Sequence, residues 1–176
     1  MIWSRPEAAE YRSYFDRYIS LVTEEDLPGV LERQAAEVER VLGELPAAVA
    51  GFRYAPGKWS VREVLGHLID TERVFGYRAV AIARGEEASL PPFDENAFAA
   101  LAGHERCAVA ELAREFGLLR RSHVMLFRHL DEAAWRRTGN VDGHRTSTRA
   151  VAFMMAGHVR HHARILSERY GVPITG

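Results

Sequence analysis

The stretch from Val151 to Tyr170 admits few folds. Val151, Met155, His158, His162 and Ile165 step by four, three, four and three, which is the apolar seam of one helix facing a core. Two imidazoles therefore occupy seam positions one turn apart, where the pattern asks for Leu or Met. Side chains at i and i+4 lie one above the other on the same face, close enough to share an ion. His161 offers a second pairing with His158 at i+3 but leans off the stripe. Two neighbouring buried imidazoles need partners, because desolvated ring nitrogens carry a penalty without them. A shared metal and hydrogen bonds inside a core both meet that need.

The remaining chain reads as the body that this helix packs into. Tyr11, Tyr14, Phe15, Tyr18 and Ile19 fall on one face, so residues 7–22 are expected to lay a short helix over that body. Pro28 suits the first turn of a helix near 28–45, and Pro46, Gly51, Pro56 and Gly57 make 46–58 a loop. Ser60-Val-Arg-Glu63 is a capping box with Trp59 as its staple, opening a helix that ends near Gly85. Residues 86–102 form a long connector with a helical turn at Glu95–Leu101, and a third helix runs from about 104 to 130. Asp131 caps a short turn ending near Trp135. The Gly-rich loop 138–145 then leads to the last helix, 147–170, stopped by Gly171 and Pro173. Four long helices make an all-α four-helix bundle the economical fold, with no strand-like segment. The long second connector allows a crossover along the bundle between helices two and three.

At 176 residues the chain is expected to be one domain, 1–176, large enough for a real core. No apolar run is long enough to span a bilayer and the N-terminus lacks a signal peptide's apolar stretch, so a cytoplasmic location is the default expectation. The single cysteine, Cys107, excludes an intramolecular disulfide and any multi-cysteine metal site. It falls at the start of the third helix as a small hydrophobe. A net charge of −1, with the arginines dispersed among acids, argues against nucleic-acid binding.

His67 lies between Val64 and Thr71 on the buried side of the second helix. With His158 and His162 it supplies a three-imidazole set on facing helices, and three protein ligands leave a metal an open position for water or substrate. A lone histidine on an apolar face is more commonly a core residue, so periodicity leaves both readings standing. Around the set, Asp70 and Glu63 lie one turn either side of His67, with Glu72 close by. Asp70 is the candidate to orient a ligand imidazole or act as general base. His144, in the loop before the last helix, is a candidate substrate contact. Trp59 and Phe93 are candidate pocket walls, Met154 and Met155 core filler, and His104, His123 and His129 have no partner pattern.

Trp59-Ser-Val-Arg-Glu-Val-Leu-Gly-His67-Leu-Ile-Asp, followed far downstream by His158-Val-Arg-His-His162, resembles the DinB-like superfamily, closest to its YfiT-like metal-dependent hydrolase branch. The likeness covers roughly residues 10–171. It implies a bundle of up-down-down-up order and a divalent metal (Zn, Ni, Mn or Fe) held by His67, His158 and His162, with homodimers frequent. It also implies metal-dependent chemistry on a small molecule, as a hydrolase or as a thiol S-transferase using a low-molecular-weight thiol. In the thiol reading, Arg160 or Arg164 would meet carboxylates of the thiol cofactor. The rivals are a non-catalytic protein with a structural metal and a stress-response dimer acting through its surface.

Overall fold

In the computed structural model, which describes residues 3–176, the bundle is built from α2 (Leu27–Leu42), α4 (Val61–Arg84), α6 (Val109–Arg128) and α8 (Thr148–Tyr170). Shorter pieces connect them: α1 (Asp16–Ile19), α3 (Ala47–Ala50), α5 (Glu95–Ala102) and α7 (Glu132–Arg136). The expected starts of α4 and α8 are realised chemically. The Ser60 hydroxyl accepts from the Glu63 N–H while the Glu63 carboxylate takes the Ser60 N–H at 2.7 Å. Ser147 caps α8 by accepting from Ala150 N–H at 3.0 Å.

Side-chain pairings fix the helix directions. Glu32 meets Arg128 at 2.9 Å and Glu39 meets Arg121 at 2.9 Å, so α2 and α6 are antiparallel. Arg73 meets Glu115, and a Cβ at Gly76 would fall on His123, so α4 and α6 run the same way. Tyr170 Oη donates to the Trp59 carbonyl at 2.7 Å while Phe75 packs near His158, which makes α4 and α8 antiparallel. The order is up, down, down, up. Two parallel neighbours in sequence order require a connection that returns along α4, about 36 Å for 24 residues. Residues 85–108, with α5 inside them, make that return.

Three local expectations are corrected. The loop 138–145 contains a hairpin, β1 (Thr138–Val141) and β2 (His144–Ser147), paired antiparallel with Val141 opposite His144. Asp142 and Gly143 take φ of 52° and 76° at its tip, the positive pair that a two-residue type I′ turn requires and that Asp-Gly supplies. The strands are four residues each, and Gly139 and Asn140 hide any alternation. The third helix begins at Val109 because Gly103, at φ 69°, ends α5 and a 3-10 turn over His104–Arg106 follows, its His104 ring seated where a Cβ on Gly66 would be. Cys107 therefore lies in the half-buried lead-in to α6. Residues 7–22 form two 3-10 turns and the four-residue α1 instead of one helix. Such short segments have little helical stability of their own, and here Arg5 ties down the carbonyls of Ile19 and Val22.

The core has two apolar clusters, one around Phe75, Phe127, Trp135 and Phe153 and one around Leu65, Phe116, Val159 and Leu166. A buried polar layer divides them. Arg120 on α6 makes a double hydrogen bond to Glu72 on α4 at 2.8 and 2.7 Å and reaches Gln34 on α2 at 2.6 Å. Gln34 donates to the Ala156 carbonyl and Arg120 to the Met155 carbonyl, both on α8. All four long helices are thus tied at one level, directly before His158. No described helix is long and apolar enough to cross a membrane.

The N-terminal segment reaches the bundle at Gly157, where an added Cβ would collide with the Tyr18 carbonyl oxygen. Gly157→Ala would gain up to about 1 kcal/mol of helix propensity. The collision is with backbone, which cannot rotate away, and overpacking of that kind costs about 1–3 kcal/mol. The expected result is a net fall in melting temperature. A rise would show that α1 is free to lift from α8.

Candidate metal centre

His67 is seven residues into α4, on the face that also carries Thr71, Phe75 and Arg78. His158 and His162 are one turn apart on antiparallel α8. Nε2 of His158 stands 3.0 Å from Nε2 of His67 and 3.1 Å from Nε2 of His162. The three rings lie with centroids 4.5–4.9 Å apart. Trp59 covers His67 at 4.9 Å and Tyr18 meets His158 edge-on at 5.3 Å. His67 and His158 are each 6% exposed. His162 is half-buried as a residue, yet its Nδ1 is enclosed.

Burial holds all three rings neutral at pH 7. His67 is lowered to about 4, mainly by desolvation and secondarily by His161. His158 and His162 are held well below the ordinary range, again chiefly by burial and then by neighbouring imidazoles. Neutral rings have lone pairs to give. Hydrogen bonding alone does not satisfy them: one ring nitrogen carries one proton or one lone pair, so His158 Nε2 cannot fully serve two neighbours. His67 Nδ1 and His162 Nδ1 are buried without a hydrogen-bond partner. A divalent ion fits this donor set, since metal–imidazole bonds of about 2.0–2.1 Å bring ligand nitrogens roughly 3 Å apart.

A linked prediction concerns the metal-free protein. Between pH 6.5 and about 4 the unfolded chain binds a proton at His67 that the folded chain refuses. Stability is therefore full above pH 6.5 and falls as the pH drops towards 4, by roughly 3 kcal/mol for this group. His158 and His162 act in the same direction. Urea unfolding of chelated protein at pH 7 and about pH 5 should show about 2 kcal/mol of this loss from His67, and His158→Ala/His162→Ala should show a smaller total loss. Equal losses in both proteins would contradict the assignment.

The cluster opens into a cavity of about 410 Å³. Its walls come from residues 12–18, the α4 face, the connector at Pro92 and Phe93, the hairpin and α8. The hairpin holds that connector in place: Leu90 N–H donates to Asn140 O and Asp142 N–H to Leu90 O, each at 2.9 Å. Trp59, Phe93 and His144 all line the cavity, and so does His161. Asp70 does not. It lies beside Arg73 of its own helix, 3.7 Å away, and burial raises its pKa. Glu63 is occupied in the capping box and Glu72 in the polar layer. Arg160 is bound to Glu24 at 2.8 Å and to the Leu21 carbonyl at 2.7 Å, while Arg164 pairs with Glu168 at 3.4 Å outside the cavity. The arginines that do line it, Arg12, Arg17 and Arg78, are ones sequence reasoning missed. Arg78 carried a signal: a charged residue at a buried position of the α4 seam.

The sequence profile of the DinB superfamily matches residues 30–166, most of the chain. The chain belongs to the DinB superfamily. Among solved structures, it is similar to YfiT from Bacillus subtilis, with 20% identity, a TM-score of 0.73, and coverage of 96% of this chain and 94% of that one. That protein is described as a probable metal-dependent hydrolase with an unusual four-helix bundle topology. At this identity the likeness speaks for the fold of this DinB protein, in agreement with its up-down-down-up order. No curated protein matches the chain.

Proposed function

We propose that this DinB protein is a metal-dependent enzyme acting on a small molecule, of hydrolase type, with His67, His158 and His162 as its metal ligands. The observation that carries the reading is the convergence of three neutral imidazoles beside a cavity, with the His158 Nε2 3.0 Å from that of His67 and 3.1 Å from that of His162 and all three ligand atoms within 4.8 Å of one another. The description of YfiT supports it. The group of potential ligands contains three histidines and no fourth residue among the described residues. A purely structural ion would want a fourth protein ligand, whereas a catalytic one keeps a position open. When bound, the ion would lower the pKa of water to about 7 or hold a thiol as thiolate.

The chain's own groups supply the rest. Trp59 and Tyr18 fix the ligand rings and shield them from bulk solvent. Among the cavity-lining groups His161 has its ring 5.1 Å from the ring of the ligand His162 and is kept neutral mainly by burial, so it is the base assigned to take a proton. A second reading, thiol S-transfer, is favoured by the three cavity arginines, which suit a thiol carrying carboxylates.

The test is an assay of the metal-loaded protein on a panel of small esters and amides, beside thiol–electrophile mixtures. Turnover of one class that stops on chelation and returns with metal is the expected result. Hydrolysis supports the first reading and thiol consumption the second. Rates no higher than those of His158→Ala/His162→Ala for every class would contradict both.

A further inference from the structure

Most arginines of this chain are exposed or paired with a carboxylate, but Arg78 is neither. It is 7% exposed on the inner face of α4 and lines the cavity. Its one hydrogen bond among the described residues runs from Nη2 to the Pro91 carbonyl at 2.8 Å. No carboxylate forms an ion pair with it; Asp142, on the hairpin turn, acts on it only from a distance. Buried arginines are ordinarily paired, because an uncompensated charge in low dielectric is unfavourable. Here the donors that Pro91 leaves unused border the cavity.

The surroundings specify what those donors suit. Phe75 stands between Arg78 and the histidines, with its ring 5.7 Å from the Arg78 Cζ and 6.2 Å from the His158 ring. Phe15 packs against Phe75 at 6.4 Å. The cavity therefore offers three zones in order: ligating imidazoles, an apolar wall and an enclosed guanidinium. Arg17, stacked over Tyr14 at 3.7 Å, adds a second cation at the edge of the same cavity. Exposed cations contribute little to affinity through screened charge, whereas an enclosed planar fork binds a carboxylate strongly and with orientation.

We propose that Arg78 anchors a carboxylate of the small-molecule substrate, whose reactive end reaches the three histidines across an apolar segment lying along Phe75. The inference rests on the metal reading for the position of the reactive end; the anchor itself does not require the ion. It places the specificity of this DinB protein on α4, eleven residues beyond His67.

The test uses cobalt-loaded protein and the absorption band that a thiolate gives on cobalt. Matched pairs of ω-mercapto acids and ω-mercapto alcohols are titrated, from mercaptoacetate and mercaptoethanol up to 6-mercaptohexanoate and 6-mercaptohexanol. The acid is expected to bind about 10- to 100-fold more tightly than its alcohol. This advantage should be largest for the longer members, which can pass Phe75, and should vanish in Arg78→Gln while cobalt uptake and alcohol affinity stay unchanged. Acids and alcohols that bind alike, or an advantage that survives Arg78→Gln, would overturn the proposal. An advantage greatest for mercaptoacetate would also overturn it, and needs no variant. If the wild-type protein takes up no cobalt, the metal reading fails. The anchor is then decided by calorimetry of hexanoate against hexanol on wild type and Arg78→Gln, where equal heats for acid and alcohol would sink it.

Discussion

Arg120→Met is expected to lower the stability of the bundle by about 3–5 kcal/mol, the loss seen when one member of a buried ion pair is removed. Arg120 is 1% exposed and Glu72 2% exposed. Burial alone would raise the Glu72 pKa; Arg120 and His123 overcome it and hold the carboxylate ionised. Without Arg120, that carboxylate keeps only His123, 2.9 Å away, and Gln34 loses the donor at its Oε1. The midpoint of urea unfolding should fall accordingly. Glu72→Gln/Arg120→Met, which removes both charges, should recover part of the loss. A single variant as stable as wild type would mean that the layer is open to water. The effect reaches the histidines as well. Arg120 and Gln34 grip the carbonyls of Met155 and Ala156, the last turn of α8 before His158.

The second large effect belongs to His158. Its Nε2 is the one that lies within 3.1 Å of both partners, so His158→Ala removes the shared member of the set. Loss of a partner that merely orients a ligand typically costs 10–100-fold in metal affinity. Removing the ligand itself should exceed about 100-fold. Competition against a chelator of known affinity measures it, and His161→Ala is the control on the same helix, expected to hold metal as wild type does. A His158→Ala protein with unchanged affinity would mean that the ion sits elsewhere.

Much of this architecture was legible in the sequence because it follows from local rules. The capping box at Ser60 and Glu63 sets the phase of α4 and so aims His67 inward. The four-three step through His158 and His162 sets the phase of α8. Two helices of known phase bring three imidazoles to one place with no long-range information beyond their antiparallel contact. The long connector only allowed a crossover, and the up-down-down-up order came from the family resemblance; α4 and α6 are now seen to run parallel. What stayed hidden depends on tertiary pairing. Arg160 and Arg164 share a helix with the ligands, which made them attractive, yet Glu24, 136 residues away, claims Arg160. Glu72 and Arg120 are 48 residues apart, and neither sequence neighbourhood shows the other. Asp70 follows His67 by three residues but stays outside the cavity, beside Arg73 of its own helix. The hairpin escaped because its strands are short, although Asp142-Gly143 was a usable turn signal.

The central claim is that His67, His158 and His162 hold one divalent ion, and elemental analysis of untagged protein purified without chelator tests it most directly. The structure predicts about one metal ion per chain, lost in His158→Ala/His162→Ala. No bound metal after exposure to zinc, nickel, manganese and iron, or equal metal in the wild type and the double variant, would contradict it.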